Sequence, residues 1–326
     1  MTKFKIVSLR PEKDFTDNSA SPPTIFDVKF FDKYSIDAIE YIKKADAVIL
    51  PAVGEYIDSN VFKNSKIKIL QITGAGFDRI SEKEIRKLNI NVCNVSGVNS
   101  NAVAEFCVGS SISLLRSFKK ADKNIFSGEY VKIRDKIIKD KLFELNGLKV
   151  SIIGLGPIGM TTAKYFKMFG CKIFCHDIYN IDKNFLNELD SKQVSFREAL
   201  KISDIISFHL PLNNNTKNLV NKNNISLIQP NSIIINASRG GIINENDLAE
   251  ALKNNHLRGV AIDVFQDEPI KPNNPILNLP EKIQNNVILT PHIAGITKQS
   301  WNQLFKESWL NIENCLLGKP FKYLVN

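Results

Sequence analysis

The chain has 326 residues, 43% of them hydrophobic and 24% charged, with a formal net charge of +9. That length fits two domains better than one, and the composition is that of a globular enzyme rather than of a disordered or fibrous chain. No run of about 18 apolar residues is present, which excludes a helical membrane span, and the lysines are dispersed, which argues against nucleic acid as a partner.

In chain order, residues 4–9 read as a strand and Ile25–Phe31 as another. Ile36–Lys44 has helical apolar spacing, and Ala47–Leu50 is a short buried strand closed by Pro51. Ile57–Lys63 reads as a helix and Ile67–Thr73 as a strand running into Gly74-Ala75-Gly76. Ser81 is placed to cap a helix reaching Leu88, with Glu84 at the capping-box position, and Ile90–Val95 is again a strand. Strands alternating with helices predict a parallel, doubly wound sheet over roughly the first 100 residues.

Asn101–Ile125 keeps a helical period throughout and predicts one long helix. Residues 128–147 are basic and poorly periodic and read as an arm. From Gly147 the strand–helix alternation resumes, with Lys149–Ile153 as its first strand. Met160–Phe169 is then a helix and Lys172–Cys175 a strand. Val194–Ser195 is predicted as a short strand, Phe196–Ile202 as a helix and Ile205–Leu210 as a strand. A short helix at Asn223–Leu227, a strand at Ser232–Ala237, a helix at Glu245–Asn254 and strands at Gly259–Val264 and Val287–Leu289 follow. Thr297–Leu317 is a second long helix.

The whole reads as two doubly wound α/β domains: 1–100 and 295–326 form one, and 101–294 the other. The N-terminus shows no signal-peptide pattern, so the cytoplasm is the expected compartment. Five cysteines in an odd count, without metal spacing, read as reduced core thiols, and no metal site is expected.

Chemistry in open parallel sheets sits beyond the carboxyl ends of the strands. Gly154-Leu155-Gly156-Pro157-Ile158-Gly159 follows the strand at Lys149–Ile153 and opens a helix. The first two glycines permit a sharp turn and close approach of a pyrophosphate, and the third lets helix pack on strand. Asp177 follows about 20 residues on, where an acid binds a ribose diol and repels a 2′-phosphate. The pattern therefore predicts a dinucleotide site that prefers NAD. Later strand ends bring His209-Leu210-Pro211, then Arg239, then Asp263 with Glu268 beyond it, and then His292. The guanidinium fork of Arg239 suits a carboxylate or keto acid. His292 is able to give and take a proton, and a carboxylate such as Glu268 orients an imidazole and favours its charged form.

Taken together, these glycines with Asp177, Asn236-Ala237-Ser238-Arg239-Gly240, Asp263-Val264-Phe265-Gln266-Asp267-Glu268-Pro269 and Thr290-Pro291-His292-Ile293-Ala294-Gly295 resemble the D-isomer-specific 2-hydroxyacid dehydrogenases over nearly the whole chain. Gly74 to Asp78 resembles that family's substrate-domain loop. The resemblance implies a Rossmann-type cofactor domain inserted into a flavodoxin-like substrate domain, a cleft between them, and a homodimer held largely through the cofactor domain and the arm before it. It implies Arg239, Glu268 and His292 as the catalytic set. Ala75 and Gly76, with Arg239 and His292, would hold the substrate. NAD would be held by Gly154, Gly156, Pro157, Ile158, Gly159 and Asp177. His209, Pro211, Thr216, Ala237 and Ser238 would also contact it, as would Arg239, Asp263, His292 and Gly295. The substrate would be a small or apolar 2-oxo acid, because Leu50-Pro51-Ala52-Val53-Gly54 offers no phosphate clamp; no extra C-terminal regulatory domain is expected either. Two other functions stay open at this stage: an NAD(H)-sensing, corepressor-like binding protein, and a phosphite-type dehydrogenase.

Overall fold

The computed structural model describes residues 3–32 and 34–325. The chain divides into two compact units, one of Met1–Asn99 with Ile296–Asn326 and one of Ser100–Gly295.

The first unit starts with β1 (Phe4–Ser8), α1 (Glu12–Thr16), β2 (Phe26–Phe30), α2 (Ile36–Lys43) and β3 (Ala47–Pro51). It continues with β4 (Ile69–Thr73), α3 (Glu82–Arg86) and β5 (Asn91–Cys93). All strand pairs are parallel, in the order β2-β1-β3-β4-β5. Strands buried on both faces need apolar residues in both alternating sets, and β3 shows it. Val48 and Leu50 join the cluster that holds Ala38 and Ile42 of α2, while Ala47 and Ile49 join the cluster of Phe15, Phe305 and Trp309. The buried Trp309 indole satisfies its N–H on the Ala20 carbonyl at 2.8 Å. Near the C-terminus, Leu324 makes an antiparallel bridge to Cys93 at the β5 edge.

The second unit opens with three helices, α4 (Ser100–Leu115), α5 (Phe118–Phe126) and α6 (Tyr130–Asp140). Then come β6 (Lys149–Ile153), α7 (Pro157–Met168), β7 (Lys172–His176), α8 (Lys183–Glu188), β8 (Lys192–Gln193), α9 (Phe196–Ile202) and β9 (Ile205–Phe208). The unit closes with β10 (Ile233–Asn236), α10 (Glu245–Lys253), β11 (Gly259–Ile262), α11 (Glu281–Gln284) and β12 (Val287–Leu289). α12 (Lys298–Leu316) belongs to the first unit. The seven strands are parallel in the order β12-β11-β10-β9-β6-β7-β8, so the direction of winding reverses beside β6. That reversal is where a doubly wound sheet opens a crevice for a nucleotide.

Four segments differ from expectation. The predicted helix over Asn101–Ile125 is two helices, because Ser117 takes a left-handed conformation (φ 53°). The new direction is fixed by Lys119, whose ammonium donates to the carbonyls of Gln284 and Val287. The basic segment 128–147, read as a poorly periodic arm, is mostly α6, paired with α5, with Ile133 buried and Lys120 facing Asp140. The strand at Val194–Ser195 sits two residues earlier, and the Ser195 hydroxyl instead caps α9 by accepting from the Glu198 N–H. The helix at Ile57–Lys63 reduces to a 3-10 turn, Ser59–Phe62, started by the Asp58 carboxylate.

Among the described residues no helix is long and apolar enough to cross a membrane, and no group of metal-binding side chains gathers. The five cysteines are free thiols. Burial pushes Cys93 and Cys107 up to about 12 and Cys171 and Cys175 up to about 11, which keeps all four protonated and unreactive.

Candidate active site

The glycine turn after β6 is built as a cradle. Gly154 adopts φ 94°, and a Cβ there would stand 2.4 Å from the His209 carbonyl oxygen. A Cβ on Gly159 would stand 2.0 Å from the Gly154 oxygen, so α7 reaches β6 only because that residue is glycine. Gly156 differs: a Cβ there meets nothing within 4 Å, and the open space lies at the start of α7. Gly156 is the N-cap of α7 and supplies no side-chain acceptor, and Pro157 follows it at the helix start, so first-turn N–H groups remain for an anion. Ile158, one residue on, packs against the core cluster beneath this turn. Asp177, just past β7, accepts from the Leu155 N–H (2.8 Å) and the Tyr179 N–H (3.1 Å), which fixes the carboxylate beside the turn. These residues fit a dinucleotide: a pyrophosphate against Gly156 and a ribose diol against Asp177.

Past β9, the His209 imidazole bonds the Ser207 hydroxyl through Nε2 (2.9 Å), while Nδ1 is buried without a partner among the described residues. Burial holds His209 down to about 3, so the ring is neutral. The Thr216 hydroxyl serves its own loop, donating to the Pro211 carbonyl (2.6 Å) and accepting from the Asn213 N–H.

The other groups come from three neighbouring strands, β10, β11 and β12. Beyond β10 the buried Asn236 fixes the turn, accepting from the Ser238 N–H and hydroxyl and donating to the Arg239 carbonyl (3.0 Å). Ala237 and Ser238 lie in that turn, and the Arg239 guanidinium donates to the Ser238 carbonyl. Beyond β11, Asp263 is 1% exposed, and its carboxylate receives the Thr290 hydroxyl (2.5 Å) and the N–H groups of Ile293 and Ala294 (2.8 Å each). Its main-chain oxygen takes the His292 N–H at 2.7 Å. Asp263 therefore holds the turn in which His292 takes φ 56° and which runs on to Gly295.

His292 Nδ1 lies 2.8 Å from Glu268 Oε2, and Glu268 Oε1 accepts from the Phe265 N–H at 3.0 Å. Burial alone would raise the Glu268 carboxyl. The hydrogen bonds from His292 and the Phe265 N–H, with the charges of His292 and Arg239, outweigh it and hold the group below its ordinary value. A carboxylate on Nδ1 leaves Nε2 to face a reactant.

Ala75 and Gly76 belong to the first unit, in the loop after β4, and are partly exposed. The Ala75 carbonyl accepts from the Asn94 side chain at 2.7 Å. The buried Arg79 ties this loop to the one after β3 by donating to the carbonyls of Pro51 and Glu55 (2.9 Å each). Sequence reasoning passed over Asn236 and Thr290 as positioning groups. The signal for Asn236 was an asparagine at a strand end before a turn; nothing local to Thr290 announces its partner 27 residues back.

Residues 108–294 match the model of the NAD-binding domain of the D-isomer-specific 2-hydroxyacid dehydrogenases. The chain is 32% identical over 294 residues to a glyoxylate reductase of Thermofilum pendens, covering 89% of this chain and 84% of that one. It is 34% identical over 291 residues to a D-3-phosphoglycerate dehydrogenase of Methanocaldococcus jannaschii, covering 89% of this chain and 53% of that protein, so it spans about half the length of that relative. A solved structure of a Pyrococcus horikoshii protein superposes with a TM-score of 0.82 at 29% identity, covering 99% of this chain and 95% of the other.

Proposed function

The chain belongs to the D-isomer-specific 2-hydroxyacid dehydrogenase family, with NAD as cofactor, and from that premise we propose that it interconverts a small or apolar 2-oxo acid and the D-2-hydroxy acid, with His292 as the acid/base. The observation that carries this reading is the His292–Glu268 pair at 2.8 Å on a strand end two places from the Arg239 turn.

Bound NADH supplies the hydride for the keto carbon. His292, protonated, gives the proton on Nε2 to the developing alkoxide, while Glu268 on Nδ1 offsets the imidazolium charge before transfer. Arg239 holds the carboxylate and keto oxygen and stabilises the negative charge that grows there. In oxidation, neutral His292 takes the hydroxyl proton. The N–H groups of Ala75 and Gly76 hold the substrate carboxylate. Asp263 acts through the His292 turn, and the glycines, Asp177 and the loop of His209 to Thr216 seat the dinucleotide. The apolar Leu50-Pro51-Ala52-Val53-Gly54 segment supports an apolar or small substrate over a phosphorylated one. Residues 1–99 with 296–326 serve as the substrate domain and 100–295 as the cofactor domain. The working assembly is a homodimer, and the cytoplasm is its place of action.

The test is NADH oxidation with glyoxylate, hydroxypyruvate, pyruvate and branched-chain 2-oxo acids, with NAD plus phosphite as control. Turnover is expected with at least one acid and none with phosphite. His292→Ala should lower kcat by about 10²- to 10⁴-fold with NADH affinity retained. Near-normal turnover by that variant would remove His292 from the mechanism. Tight NADH binding without turnover of any acid by the unaltered protein would point to nucleotide sensing instead.

A further inference from the structure

Glu245 opens α10, one residue after its N-cap, Asn244. An acid in a first helical turn is ordinarily a surface group facing the helix dipole. This one is committed elsewhere. Its Oε1 accepts the Gln266 N–H at 2.8 Å, and its Oε2 accepts the side-chain N–H of the buried Asn274 at 2.6 Å. Gln266 is the residue after Phe265, whose own N–H holds Glu268. The same stretch is packed from the other side by Gly240, where a Cβ would fall 1.8 Å from the Phe265 oxygen and 2.6 Å from the Gln266 nitrogen. The loop that carries Glu268 is thus wedged against the Arg239 turn and latched to α10 by one carboxylate.

We propose that Glu245 is a positioning residue for the acid/base: by fixing the Phe265–Gln266 peptide it fixes the Phe265 N–H, and so the Glu268 carboxylate against His292 Nδ1. The inference rests on the dehydrogenase reading above. A loop freed at Gln266 lets Glu268 drift, and a displacement of about 1 Å at such a group costs up to 10²-fold in rate. The groups bearing on His292 among the described residues are Glu268, the Asp263 carboxylate and main chain that hold its turn, and Arg239, which acts on Glu268.

Three variants separate latch from helix cap. Glu245→Asp keeps a first-turn acid but is one methylene too short for Gln266. Glu245→Gln keeps the length and the acceptor for that N–H but turns its NH2 toward the Asn274 NH2, so it keeps one contact of the two. Glu245→Ala loses both. Expected are a fall in kcat of about 10-fold or more for Glu245→Asp and Glu245→Ala, KM for NADH within about 2-fold, and partial recovery in Glu245→Gln. In a Glu268→Gln background, Glu245→Asp should lower kcat no further, since the two act as one unit. Independently of turnover, the downfield proton resonance of His292 Nδ1–H, assigned by its loss in His292→Ala, should broaden or disappear in Glu245→Asp. Additive effects, or an unchanged His292 resonance in Glu245→Asp, would overturn the proposal. A changed resonance in a protein that reduces no 2-oxo acid would leave the latch standing and refute the dehydrogenase reading.

Discussion

His292 and Glu268 make a pair whose chemistry is set by which nitrogen the carboxylate occupies. With Nδ1 taken, the proposed mechanism assigns proton exchange with a reactant to Nε2, and under it reduction and oxidation require opposite charge states of one ring. Because the Glu268 carboxyl is held below its usual range, it is ionised wherever the enzyme works, and it stabilises the imidazolium there. The sign for folding follows: Glu268 contributes stability above the ordinary carboxylate range, and this is lost as pH falls through its depressed value. Glu268→Gln should therefore lower kcat for reduction and flatten the acid limb of stability. An unchanged kcat would dissociate Glu268 from the proton transfer. At the same scale, Asp177 is the residue we propose to set the nucleotide preference. NADH should outperform NADPH in kcat/KM, since a 2′-phosphate would meet the carboxylate and neither Ile178 nor Tyr179 offers a cation. A preference for NADPH would refute this assignment.

At the scale of elements, the turn between β6 and α7 separates what glycine does for packing from what it does for binding. Gly159→Ala drives a methyl into the Gly154 carbonyl, so it should cost about 1–3 kcal/mol of stability along with nucleotide affinity. Gly156→Ala meets open space and a φ of −67° that alanine adopts freely, so it should fold normally yet weaken NADH binding. Thermal melts paired with NADH fluorescence titrations resolve the two, and equal melting losses would contradict the distinction. The elements legible in the sequence were those with strong period or punctuation. The apolar runs of β3, β6, β9 and β10 fall within their predicted spans, and α12 lies within the helix predicted at Thr297–Leu317, with Thr297 capping it through Ser300. Less legible were α1, α8 and α11, which have four to six residues each and too few turns to display a period. The break at Ser117 was invisible for another reason: the apolar spacing runs on through it, and the left-handed turn is held by contacts of Lys119 with α11 and β12.

For the whole molecule, large apolar side chains are exposed on the paired helices α5 and α6: Phe126 (86% exposed), Val131 (69%) and Ile138 (59%). Apolar side chains left exposed on a packed helix pair suit an interface. We expect a second copy to cover it, and sedimentation should give a dimer mass. Phe126→Glu with Val131→Glu should yield a monomer whose core melts as before. A monomeric unaltered protein would exclude the homodimer.

Sequence alone determined the two-fold alternation of strands and helices, the dinucleotide turn and the order of Asp177, Arg239, Glu268 and His292, because strand period, turn glycines and charged residues at strand ends are local signals. The tertiary structure decided which of them work together. Strand order, which no local pattern encodes, sets β10, β11 and β12 side by side and so brings Glu268 to His292. It also recruits Asp263 and Glu245 as supports, whose side-chain partners lie 21 to 31 residues away and become neighbours only when the sheet is assembled.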